Sequence, residues 1–157
     1  MSRTYSPLAV ANEFILRSAS GIDHMKLQKL VYYAQGYALA EGFRLTNEQP
    51  QVWPYGPVFK SLYFDLKYHG EDPIYRPEGE DTYGKPPFVN PGDVEHSKVI
   101  KRVWQIFRTY TGIQLSMFTH ENGTPWSDIV RRFRDNVPKN YPISEKAMEA
   151  YFRKHNR

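Results

Sequence analysis

The sequence predicts a mainly α-helical fold: a compact single-domain helical bundle of about six helices with a short Pro-rich extended or β-hairpin element. Three observations lead there. Apolar residues recur at three- and four-residue spacing in most segments between glycines and prolines. The runs mostly open on helix-capping residues, and in two of them proline follows directly. The one stretch crowded with prolines, "RLTNEQPQVWPYGPV", is pushed to extended angles by Pro50, Pro54 and Pro57. A length of 157 residues, 40% hydrophobic and 15% aromatic, suits a single domain over 1–157 with one hydrophobic core.

Ser6 and Pro7 start the first helix, in which Leu8, Ala11 and Ile15, with Val10 and Phe14 beside them, keep helical spacing until Gly21. Asp23 caps a second helix from His24 to Glu41, with Gly42 at the left-handed C-terminal position. Leu27, Leu30, Val31, Ala34 and Ala38 form its core stripe. Tyr32, Gly36, Leu39 and Ala40 lie opposite, between Gln28 and Gln35 on one edge and Lys26, Lys29 and Tyr33 on the other. A solvated face does not need such residues, and a mid-helix glycine costs about 1 kcal/mol against alanine, so another backbone should approach Gly36. Two readings follow. Either the chain's own helices cover both sides, or the flank with Tyr33, Tyr37 and the lysine heads stays open as a docking surface.

A short strand or hairpin is expected around Gln51 to Trp53, at an edge because of Pro54. Gly56 and Pro57 then open a third helix with Phe59, Leu62, Tyr63 and Leu66 on one stripe, closed by Gly70. Residues 71–93 are rich in Pro, Gly and acid and form a long loop. A fourth helix runs from about His96 to Tyr110 with Val99, Val103, Ile106, Phe107 and Tyr110 inward. Ser116 is placed to start a short turn of helix. Thr124 and Pro125 begin a helix through Arg134, facing Trp126, Ile129, Val130 and Phe133 inward, and Ser144 caps a basic C-terminal helix over 144–155. Ile143 and Met148 are placed to staple its start.

Several function classes drop out. The absence of cysteine excludes disulfides, thiolate metal sites and a cysteine nucleophile. No uninterrupted apolar run approaches the roughly 20 residues of a membrane span, so a cytoplasmic protein is expected. The net charge of +4 is concentrated in the C-terminal region. It suits either nucleic acid or an acidic protein surface, but no aromatic-interleaved basic stripe accompanies it, which makes nucleic acid the weaker reading. No phosphate loop, nucleophile elbow or HExxH motif occurs, and no catalytic residue, metal or cofactor is assigned. Asp65 and His69, four apart, read as a surface contact. Ser116, Thr119, His120 and Glu121 cluster before a helix start; without an oxyanion element, Thr119 and His120 are expected to hold a turn by hydrogen bonds.

Three blocks, "MKLQKLVYYAQGYALAEG" (25–42), "VWPYGPVFKSLYFDLKYHG" (52–70) and "LSMFTHENGTPW" (115–126), together resemble the signatures of the Panacea domain family of SocA-like antitoxins and phage-associated genetic-element proteins. The order and spacing match over roughly Tyr5 to Phe152. The resemblance implies a helical domain that neutralises a toxin encoded nearby by direct protein contact. A second implied route is delivery of that toxin, as an adaptor, to the ClpXP protease. Carried over by position, Gly36, Gly56, Pro57, Ser116, Thr119, His120, Pro125 and Trp126 are expected to be structural. Lys26, Lys29, Tyr33, Tyr37, Trp53 and Tyr55 are the expected partner-binding residues. Trp53 and Tyr55 flank a proline and suit either buried scaffold or aromatic anchor. The acidic loop and the basic last helix are the candidate determinants of partner choice.

Overall fold

The computed structural model describes residues 3–155. Seven helices and one two-stranded sheet make up its regular structure: α1 Pro7–Arg17, α2 His24–Ala40, β1 Gln51–Trp53, β2 Gly56–Val58, α3 Lys60–Leu66, α4 Val94–Phe107, α5 Gly112–Thr119, α6 Pro125–Arg132 and α7 Glu145–Lys154. A single turn of 3₁₀ helix, Lys67–His69, prolongs α3. The mainly α single-domain expectation agrees with this architecture.

Helix α2 is the axis of the domain, with α1, α3, α4, α5, α7 and β2 all packed on it. Its stripe of Leu27, Leu30, Val31, Ala34 and Ala38 is fully buried, as helical periodicity requires. The opposite face is buried too. Tyr32, Tyr33 and Tyr37 surround the ring of Phe152 from α7 at centroid distances of 5.6–5.8 Å, each close to perpendicular. Tyr33 also stacks on Phe107 of α4 at 4.4 Å. A Cβ on Gly36 would stand 2.2 Å from Phe152, so this glycine is the notch into which α7 fits. Of the two readings, coverage by the chain's own helices is the one observed: α4 and α7 close the flank, which corrects the partner-binding expectation for Tyr33 and Tyr37.

The helix starts follow local chemistry. Ser6, Asp23, Thr124 and Ser144 each accept a hydrogen bond from a first-turn amide, as their positions predict. Ile143 and Met148, both fully buried, complete the staple at α7. Two expectations fail. Gly56 and Pro57 do not open α3 but belong to β2, paired across the hairpin with Trp53 and Val52, and a φ of +113° at Gly56 is outside the helical region. Ser116 lies in the middle of α5, a true helix started by a Thr111–Gln114 capping box.

The 71–93 loop is strapped down. Ile74 exchanges backbone hydrogen bonds with Ile22 at 2.8 and 3.0 Å. The amide of Asn12, buried on α1, donates to Glu78 O and Pro87 O and accepts from Glu78 N, all within 3.0 Å. His69 pairs with Glu78 at 2.6 Å, and Tyr68 bonds the same carboxylate; the expected Asp65–His69 contact is replaced by this one. Among the described residues no helix is long and apolar enough to cross a membrane.

Candidate functional site

The three sequence blocks converge on the hairpin. Its backbone oxygens are taken one by one by side chains from three helices. Trp126 Nε1 donates to Trp53 O at 2.8 Å, Ser116 Oγ to Tyr55 O at 2.5 Å and Lys29 Nζ to Pro57 O at 3.2 Å. Gln28 grips Phe59 at both ends, accepting from its N–H at 2.8 Å and donating to its carbonyl at 3.2 Å. The outer edge of β1 is covered by the chain before α7, with Val52 N donating to Tyr141 O and Ile143 N to Pro50 O. Gly56 is obligatory: besides its φ, a Cβ there would meet Thr119 Oγ1 at 2.8 Å and Lys29 Cε at 2.9 Å. The polar residues of α2 thus face a backbone and satisfy it.

The α5–α6 turn is knitted by Thr119 Oγ1 to Ser116 O and Thr124 Oγ1 to Thr119 O, at 2.6 and 2.7 Å. Thr119 therefore bonds as expected, but His120 does not. Its ring stacks on Trp126 at 4.0 Å, and its Nε2 is buried with no hydrogen-bond partner among the described residues.

Against this clamped hairpin lies a groove of about 460 Å³, within the usual 300–1,000 Å³ range of ligand-sized pockets. Lys29 is at its floor, 1% exposed. Trp53 and Tyr63, 4.8 Å apart between ring centroids, form one wall. Tyr55, 70% exposed at the hairpin tip, and Ile113, 68% exposed on α5, form the rim.

The six expected partner-binding residues divide evenly. Lys29, Trp53 and Tyr55 line the groove. Tyr33 and Tyr37 are core, and Lys26 donates to Arg108 O at 2.6 Å near the end of α4, with its ammonium 5.8 Å from the Trp104 ring. The sequence reading missed His24, Tyr63 and Ile113 as groove residues. The T-x-x-Q pattern at 111–114 was the available signal for the helix that carries Ile113.

Burial sets the electrostatics. It pushes the Lys29 ammonium down to about 8 from 10.5. It pushes His24 down to about 4 from 6.5, with the Lys29 charge adding to the effect, and lowers His120 for the same two reasons. Both depressed groups make the unfolded chain bind more protons than the folded one. The His24 contribution is therefore complete above pH 6.5 and is lost as pH falls towards about 4. The Lys29 penalty is present below about pH 8 and is relieved as pH rises towards 10.5. Urea midpoints measured across pH should rise through the first part of that alkaline window, before ionisation of Tyr32, raised by complete burial, opposes it. Lys29→Met should flatten the rise.

Among the described residues no cluster of three or more His, Asp or Glu is arranged to hold a metal ion. Fold and site together define a helical domain whose sequence signature is spent on clamping one β-hairpin beside an open groove. The chain belongs to the family described as Antitoxin SocA-like, Panacea domain, which matches residues 27–127. It is also similar to Antitoxin SocA of Caulobacter vibrioides (strain NA1000 / CB15N), 28% identical over 152 residues, covering 92% of this chain and 81% of that protein. No solved structure matches it significantly.

Proposed function

We propose that the protein is the antitoxin of a toxin–antitoxin pair in the cytoplasm, binding a toxic protein through the hairpin groove and performing no chemistry of its own. Family membership and the SocA relative support the antitoxin role. The observation that carries the surface assignment is the hairpin tip: Tyr55 is 70% exposed, yet its backbone is held by Ser116 and its neighbours by Trp126 and Lys29. An aromatic side chain on a rigid backbone loses little freedom on docking, which is what a binding hot spot needs.

Co-expression with each neighbouring gene product should relieve the toxicity of one of them and yield a co-purifying complex. Tyr55→Ala should weaken that complex at least about tenfold, roughly 1.4 kcal/mol, with unfolding unchanged within about 0.5 kcal/mol. Absence of any neutralised neighbour would refute the role; a fully active Tyr55→Ala would move the surface elsewhere. The toxin's half-life in the same cells, with and without ClpXP, separates masking from delivery to the protease.

A further inference from the structure

The ammonium of Lys29 has three donors, and among the described residues its one acceptor is Pro57 O at 3.2 Å. Among the described residues no carboxylate stands within salt-bridge distance of it: the acid–base pairs there are Arg17–Glu13, Arg44–Glu145, His69–Glu78 and Arg153–Glu149. A buried, unpaired ammonium is destabilising, and an apolar side chain of similar length would fill the space without that cost. The fold therefore keeps, in the lining of an open groove, a charge of which its own packing uses one donor, to hold Pro57 O, and which no carboxylate among the described residues neutralises. The buried Nε2 of His120, close enough to feel the Lys29 charge, has no hydrogen-bond partner among the described residues. The acids nearest the groove do not serve: Asp23 accepts from Lys26 N as the α2 cap, and Glu71 sits exposed at the rim. The groove wall of Trp53 and Tyr63 and its rim at Ile113 are aromatic or aliphatic, and the chain carries a net charge of +4.

We infer that the groove receives an Asp or Glu side chain of the partner protein, flanked by apolar residues, whose carboxylate pairs with Lys29 Nζ while its neighbours pack on Trp53, Tyr63 and Ile113. This rests on the partner-binding reading above and names the chemistry that the partner must present. Desolvated charge pairing at the centre, surrounded by apolar contacts, is the arrangement that makes an interface selective.

The test needs no toxin. N-acetylated, C-amidated pentapeptides with apolar flanks and a central Glu, and the same set with a central Gln, are arrayed and probed with the purified protein. The tightest are then titrated by fluorescence polarisation. The wild type should bind the best Glu peptide at least about tenfold tighter than its Gln counterpart. Lys29→Met should erase the difference while keeping a cooperative thermal transition. Ile113→Glu, at an exposed rim position, should block the groove with its own carboxylate and serves as the second variant should Lys29→Met misfold.

Asp23, His24, Tyr55, Tyr63 and Glu71 line the same groove and His120 lies beside Lys29, so the pH arm is read as wild type minus Lys29→Met. That difference should fall by about tenfold per pH unit above pH 8, as the ammonium is lost. Equal binding of Glu and Gln peptides, or selectivity that survives Lys29→Met, overturns the inference. A dimer in light scattering that Ile113→Glu dissolves would make the occupant a second copy of this chain and also overturn it. A toxin neutralised normally by Lys29→Met sinks this inference and leaves the antitoxin role standing. Selective peptide binding without any neutralised neighbour does the reverse.

Discussion

Replacing Phe152 with alanine should lower the stability of the domain by about 3–5 kcal/mol. Phe152 is 1% exposed and sits among Tyr32, Tyr33, Tyr37 and Tyr151, so deleting its ring empties the seam between α7 and the axis helix. Four aromatic partners lose their edge-to-face contact together, and a stiff ring of neighbours cannot collapse into the gap. For a chain of this size that loss corresponds to a fall of about 10 °C in the thermal midpoint.

The Gly36 notch supplies a sharper check. Gly36→Ala alone should destabilise, by about 1–3 kcal/mol, because its methyl would overlap the Phe152 ring at 2.2 Å. In the double variant with Phe152→Ala the methyl enters vacated space, and the helix-forming advantage of alanine, about 1 kcal/mol, reappears. The two costs should therefore add to less than their sum in a double-mutant cycle. Strict additivity would mean that α7 does not seat in this notch.

Gln35→Leu should cost about 2–6 kcal/mol, although leucine is close in size and more apolar. Gln35 Oε1 accepts from both Leu45 N and Thr46 N at 2.9 Å, and all three residues are buried. The substitution leaves two buried N–H groups with no acceptor, each costing roughly 1–3 kcal/mol. The segment concerned also pairs with the N-terminal chain, Tyr5 N donating to Leu45 O and Asn47 N to Tyr5 O. The damage should consequently be local before it is global. Hydrogen exchange at the Leu45 and Thr46 amides should quicken by more than the change in global stability accounts for. Unaltered exchange there would contradict the proposed role of the glutamine.

Gln28 and Gln35 also mark the limit of what the sequence made legible. Helical period and capping residues located α1, α2, α4, α6 and α7 within a few residues, because those signals are local and each is read from one turn of chain. The same period placed Gln28, Lys29 and Gln35 on the flanks of the core stripe but carried no information about which backbone their amides and amine would meet. For Gln28 and Lys29 that depends on Phe59 and Pro57 at the hairpin, 31 and 28 residues away, and for Gln35 on Leu45 and Thr46 in the chain before it. Tyr33 and Tyr37 were misjudged for a related reason. Tyrosine suits an interface and a core seam equally, and only the arrival of Phe152 from the far end of the chain decides between them. α5 escapes the periodicity because Gly112 opens it and its apolar residues, Ile113, Leu115, Met117 and Phe118, do not fall on one stripe, even though its capping box is present. Half of the candidate site, Lys29, Trp53 and Tyr55, was visible through the shared blocks; His24, Tyr63 and Ile113 joined it only through folding.

Asn12 gathers Glu78 and Pro87 into one clasp, so the eight residues between them begin and end at nearly the same place on α1. An insertion or a protease cut beyond Gly79, which packs on Leu8, should leave both cords tied to the same cleat. The domain therefore possesses a spot where its outline can be redrawn without its keel being touched.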